Sequence, residues 1–160
     1  MNVEIDSVPS VLMLMACFFR NRKLAEATNL LGGEFKCPYR TIMEYMAEHY
    51  VPRVEHSEKG DYLIKQDRKT TKQVTMCFGY AQKTQGRLNY LLERAEEVFP
   101  GEIDGVTVAF LKDYAEQFDN HFNEMFPGIV DQIAIIMEAV SIVVNETDSM
   151  AVDSLSGMRM

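Results

Sequence analysis

The sequence has no tryptophan, only three cysteines and three histidines, and only five prolines in 160 residues. Each scarcity narrows the field. Cys17, Cys37 and Cys77 are odd in number, far apart, and form no CxxC pair. That argues against a disulfide framework and for a reducing compartment. The chain contains no GxxxxGK[ST] loop, no GxGxxG after a strand, no HExxH and no GxSxG, so the motifs that carry nucleotide binding, zinc hydrolysis and acyl transfer are missing. His49 and His56 stand near Glu48 and Glu55, but their spacing matches no metal-ligand pattern, and with His121 they read as surface histidines. Cys37 precedes a helix start, where a thiolate is favoured, but no histidine is near it in sequence. No catalytic residue, metal or cofactor is expected. Repeats and low-complexity tracts are also lacking.

Long hydrophobic runs are scarce too. Residues 8–19 are apolar, yet Glu4 and Asp6 precede them and Arg20, Arg22 and Lys23 follow, the reverse of a secretory signal. The run is shorter than the roughly 20 residues a membrane span needs. A buried helix in a cytoplasmic protein is the expectation.

What is present is enough to fold. Hydrophobic residues make up 47% of the chain, with nine Phe, seven Tyr and eleven Met. Such a chain buries a substantial core, and flexible methionines fill its gaps. The net charge of −8 is uneven: residues 1–69 hold ten Lys and Arg against ten Asp and Glu, while residues 70–160 hold six against fourteen. An acidic surface repels nucleic-acid backbone, so any such contact must come from the first half.

Punctuation divides the chain into helices. Pro9 opens a helix over 10–20; a second over 22–31 is closed by Gly32-Gly33; Pro38 opens a third, with Tyr39, Ile42, Met43, Met46 and Tyr50 on one face. From residue 51 to 66 the pattern alternates, Lys59-Gly60 punctuates, and Tyr62, Leu63 and Ile64 are strand formers, which predicts a small β-hairpin. Val74, Cys77, Ala81, Thr84, Leu88, Leu91, Ala95 and Val98 fall on a 4-3 spacing. That predicts one long helix from about 70 to 99 with a coiled-coil-like seam. Asp104 caps the next helix, whose stripe Phe110, Tyr114, Phe118, Phe122 and Phe126 opposes Asp113, Glu116, Asp119, Asn120 and Glu124. Residues 129–144 are apolar nearly all round, which places that helix centrally or against another chain. Asp131 and Glu138 exclude it as a membrane span. A frayed tail is expected from residue 147.

Three short helices and a hairpin, RKLAEATNLL, PYRTIMEYMAEHY and VPRVEHSEKGDYLIKQ in order, resemble the winged helix-turn-helix family over about a third of the chain. The resemblance implies DNA contact through Lys36, Tyr39, Arg40 and Thr41 at the start of the third helix and Arg53 and Lys59 on the hairpin. Glu44 and Glu48 on the same helix oppose it, because carboxylates face phosphates poorly.

The resulting expectation is a mainly α protein with a winged-helix-like half over 1–69, a helical bundle over 70–146 and a flexible tail over 147–160. Two functions stand side by side. One is a small DNA-binding transcription regulator, homodimeric through the 74–98 seam and helix 129–144. The other is a protein-binding adaptor or inhibitor whose acidic surface, Asp113, Glu116 and Asp119, engages a basic protein partner.

Overall fold

Within the computed structural model, which describes residues 10–79 and 83–147, every regular element is an α-helix. In chain order these are α1 (Ser10–Phe18), α2 (Arg22–Ala27), α3 (Pro38–His49), α4 (Glu58–Lys65), α5 (Arg68–Gly79), α6 (Thr84–Val98), α7 (Gly105–Met125) and α8 (Ile129–Thr147). The expected tail lies, beyond Thr147, outside the described residues.

Local chemistry sets many of the ends. The Asn21 side chain accepts from the Leu24 amide at 3.0 Å and starts α2, Pro38 occupies the first turn of α3, and Asp104 accepts from the Thr107 amide at 2.7 Å to start α7. Helix α2 stops at Ala27, earlier than its apolar pattern suggests. Asn29 then takes a left-handed φ of 59° and its amide brackets Lys36, donating to the Lys36 carbonyl at 2.8 Å and accepting from its N–H at 3.0 Å. The side chain thus fastens the loop between α2 and α3.

Helix α7 is the axis of the core. Phe110, Tyr114, Phe118, Phe122 and Phe126 are all buried, and successive rings from Tyr114 onward lie 6.0, 5.7 and 5.0 Å apart. Helices α3, α4 and α6 pack on α7, and α5 packs against α3 and α6. Ile42, Leu63, Val74, Leu91 and Phe118 belong to one continuous core, so both halves of the chain contribute to it.

The β-hairpin is not there: among the described residues there is no strand, and its second arm is α4. Three effects favour the helix. Ser57 caps it by accepting from the Gly60 amide at 3.1 Å, Glu58 and Asp61 lie at the positive end of its dipole, and Lys65 meets Asp61 at 2.7 Å one turn on. Leu63 and Ile64 are both fully buried. As neighbours on a strand they would point to opposite faces, whereas helical spacing puts them with Gly60 on one face. Gly60 is no turn residue: a Cβ there would run into the Phe110 ring, so the glycine lets α4 approach α7. Residues 51–57 form the irregular link into α4. Without a hairpin there is no wing, and the winged-helix likeness keeps only its helices.

The single helix expected from 70 to 99 is two, α5 and α6, packed against each other. The described part of the first runs to Gly79, whose missing Cβ leaves room for the side chain of Val11 on α1. Most of the 4-3 seam is therefore internal; Thr84 and Val98 are half-buried, and Ala81 lies outside the described residues. Val74, Cys77, Leu88, Leu91 and Ala95 are buried within this one chain, and they are not available as a dimer surface.

Candidate interaction surface

The residues expected to contact DNA do not form one surface of free cations. Tyr39 is buried, with the Arg68 guanidinium 5.7 Å and the Lys72 ammonium 5.9 Å from its ring centre. Thr41 is half-buried and its hydroxyl donates to the Cys37 carbonyl at 3.3 Å. Arg53 makes ion pairs with Asp113 at 2.6 Å and with Glu116 at 3.1 Å. Lys59 donates to the Glu102 carbonyl at 2.6 Å and lies 3.2 Å from its carboxylate. Lys36 and Arg40 are exposed and make no ion pair among the described residues.

The acidic candidates are the other halves of these pairs. Asp113, whose side chain is only 4% exposed, accepts from the Tyr50 hydroxyl at 2.9 Å, the Arg53 amide at 3.0 Å, the Arg53 Nε at 2.6 Å and the Gln117 amide nitrogen at 2.9 Å. Burial pushes its pKa up, but the Arg53 N–H groups and the Tyr50 hydroxyl outweigh this and hold it below the usual carboxylate range. Asp119 holds the buried guanidinium of Arg87 at 2.8 Å. The three carboxylates expected to attract a partner therefore fasten the 50–53 segment and α6 to α7. A third clamp ties the residue just before α5 to α6: Arg94 grips Asp67 with two hydrogen bonds at 2.6 and 3.1 Å.

Of the polar groups with chemical potential, Cys37 is the N-cap residue of α3, and its Sγ accepts from Arg68 Nε at 3.1 Å. Burial raises the thiol pKa, but the hydrogen bond and charge of Arg68, with backbone N–H groups, outweigh it and hold the thiol below its usual value. His49 stacks on Tyr45 at 3.9 Å and bonds its carbonyl, and His56 lies edge-on to Phe110. No group of three or more His, Cys, Asp or Glu among the described residues is placed to hold a metal ion.

The feature without an internal explanation is apolar. Ile129 at the start of α8 is fully buried and Ile133 partly so, but burial is lost along the helix: Ile135 is 65% exposed, and Ile136, Met137, Ile142 and Val143 are also exposed. The helix is anchored by its first turns and then overhangs the body. Beside it α1 buries Leu12, Met15 and Ala16 but exposes Leu14 and Phe18, the latter at 78%. The sequence SVLMLMACF gives α1 no charged residue for a solvent-facing side. Between the two helices runs a groove of about 290 Å³, lined by Val11, Leu14, Met15, Phe18, Phe19, Gly79 and Ile136. The corner that connects them is fixed, because the Asn21 side chain donates to the Pro127 carbonyl at 3.1 Å. Sequence reading identified the all-round apolar character of α8 but placed residues 8–19 wholly inside; the signal in α1 was the lack of any charge on either face.

Among the described residues no single helix is long and apolar enough to cross a membrane. No protein-family model matches the chain, and neither a curated protein nor a solved structure is significantly similar to it.

Proposed function

We propose that this protein is a helical protein-binding module of the adaptor or inhibitor type, and that its contact surface is the apolar face made by α1 and α8. The observation that carries this reading is the overhang of α8, where Ile135, Ile136, Met137, Ile142 and Val143 stand exposed together beside Leu14 and Phe18 of α1. Scattered exposed apolar residues are ordinary on a soluble protein. A contiguous set on one helix and its neighbouring groove marks an interaction site. The partner surface is correspondingly apolar, with polar contacts at the rim.

On this reading the acidic residues Asp113, Glu116 and Asp119 are not the contact surface, since they are engaged by Arg53 and Arg87. The same ion pairs weigh against DNA binding. To reach a phosphate, Arg53 and Lys59 must give up Asp113, Glu116 and Glu102, and the two remaining candidates, Lys36 and Arg40, sit on a chain of net charge −8. Each phosphate contact contributes a slope of about −0.9 to log K against log salt, so electrostatic binding is strongest at low salt.

A labelled duplex titrated with the full chain at about 20 mM salt, where nonspecific phosphate binding is at its tightest, is expected to show no anisotropy change. Saturable binding with a log–log salt slope of about −4 or steeper, lost in Lys36→Ala/Arg40→Ala, would replace the protein-binding reading with the DNA-binding one.

A further inference from the structure

We propose that the apolar face is occupied by a second copy of this chain, with α8 of each copy lying in the α1 groove of the other. The proposal rests on the reading of this face as a protein-binding surface and names its occupant.

Three observations point to self-association rather than to a different protein. First, both parts of an interface are present on one molecule: an overhanging apolar helix and an apolar groove beside α1 that none of the described residues fills. A two-fold axis that brings the helix of one copy to the groove of the other brings the reverse pair together at the same time, so the contact closes at two copies and leaves neither part bare.

Second, the charges on the two parts are opposite. Every charged residue of α8 is acidic: Asp131, Glu138 and Glu146. Every charged residue from 10 to 25, across α1 and the start of α2, is basic: Arg20, Arg22 and Lys23. Asp131, Glu138, Arg20 and Lys23 are exposed and make no ion pair among the described residues. Two chains of net charge −8 repel at long range. A contact between them is favoured where one copy offers its basic patch to the acidic helix of the other, and reciprocal α8–α1 docking does this twice. Direct pairing of α8 with α8 would instead set like charges together.

Third, the exposed part of the face has the make-up of an interface. Ile135, Ile142, Leu14 and Phe18 are exposed and apolar, and Asp131 and Glu138 share one stripe of α8 with the two isoleucines at helical spacing, opposite in sign to Arg20 and Lys23.

The test is the mass of the full chain in solution by light scattering over about 2–200 µM, a range that brackets Kd values well above those of standard interfaces. The wild type is expected to approach twice the 18.3 kDa chain mass at the upper end. Ile135→Glu/Ile142→Glu is expected to weaken the dimer at least about a hundredfold, as loss of central apolar anchors does, while melting as the wild type does at dilutions where the wild type is itself monomeric. Arg20→Glu/Lys23→Glu and Asp131→Lys/Glu138→Lys are each expected to run as monomers at concentrations where the wild type is dimeric. Combining all four changes in one chain restores the opposite-sign pairing and the dimer. A wild type that stays monomeric at 200 µM overturns the proposal. So does a dimer indifferent to Ile135→Glu/Ile142→Glu, or a fourfold variant no better than its parents. A monomeric wild type that also ignores duplex DNA removes only the second copy as occupant. Duplex binding removes the protein-binding reading itself.

Discussion

Asp113→Ala is expected to lower the unfolding free energy by about 3 kcal/mol, the lower end for breaking a buried ion pair, because Arg53 remains half in water. The mechanism is loss of a node. Four hydrogen bonds from Tyr50, Arg53 and Gln117 converge on this one carboxylate, and its removal leaves the Arg53 amide without its partner and the segment before α4 held to α7 only by the more exposed Arg53–Glu116 and Gln117–Val51 contacts and a long Tyr50–Phe110 bond. Asp113→Asn, which keeps the shape and one acceptor oxygen, should cost less. The same carboxylate predicts the acid limb of stability. Its folded pKa is depressed, as is that of Asp67 beneath Arg94 and Thr70, where burial is again outweighed by hydrogen bonds. A depressed folded pKa gives stability that is fully present above the unfolded value of about 3.9 and is lost as pH falls through the folded value. Urea midpoints should therefore be flat from pH 7 to about 5 and fall steeply below about 4, and the fall should be shallower in Asp113→Ala. A variant with wild-type stability at pH 7 would show that the node is ornamental.

Leu91→Glu has the largest expected effect of any single change, and it should unfold the chain rather than separate two chains. Leu91 is 1% exposed in the common core, on α6, which packs against both α5 and α7. An ionised carboxylate there costs several kcal/mol unless it takes up a proton, a large part of the roughly 5–15 kcal/mol that holds a domain together. Ile135→Glu is the contrast. The residue is equally apolar, but its side chain is outside the core, so far-UV circular dichroism, and the melting temperature at dilutions where the wild type is monomeric, should barely change. If Leu91→Glu stays helical and merely becomes monomeric, the 74–98 seam is an interface after all and the internal packing described here is wrong.

Much of this fold was legible in the sequence, and the failures have physical causes. Helix starts were visible because Pro38 and Asp104 are local chemistry that no tertiary contact overrides. The stripe Phe110 to Phe126 was legible because spacing four over five aromatics admits one face only. The segment 51–66 was misread because Tyr62, Leu63 and Ile64 are strand formers by type, while what decides is that Leu63 and Ile64 are both buried in the core and Gly60 lies against Phe110 of α7. Glycine beside lysine looked like a turn; the reason for that glycine is the Phe110 ring, 50 residues away. The break between α5 and α6 was missed because the heptad pattern continues across it, with Leu88 and Leu91 facing back onto the same core.

The site was less legible, because a charge in a sequence does not reveal its partner. Arg53 and Asp113 each suggested a binding surface of opposite sign, and folding pairs them with each other at 2.6 Å. The apolar character of α8 was plain, whereas its overhang depends on how far α7 and α1 reach along it.

Amide hydrogen exchange resolved over residues 129–143, followed as protein concentration rises from about 2 to 200 µM across the range set for dimer formation, tests the central claim most directly. An uncovered overhanging helix opens readily, and a covered one does not. The account predicts that protection at Ile135 to Val143 and along α1 rises with concentration while α7 stays unchanged. Exchange in α8 that is the same at both concentrations would contradict it.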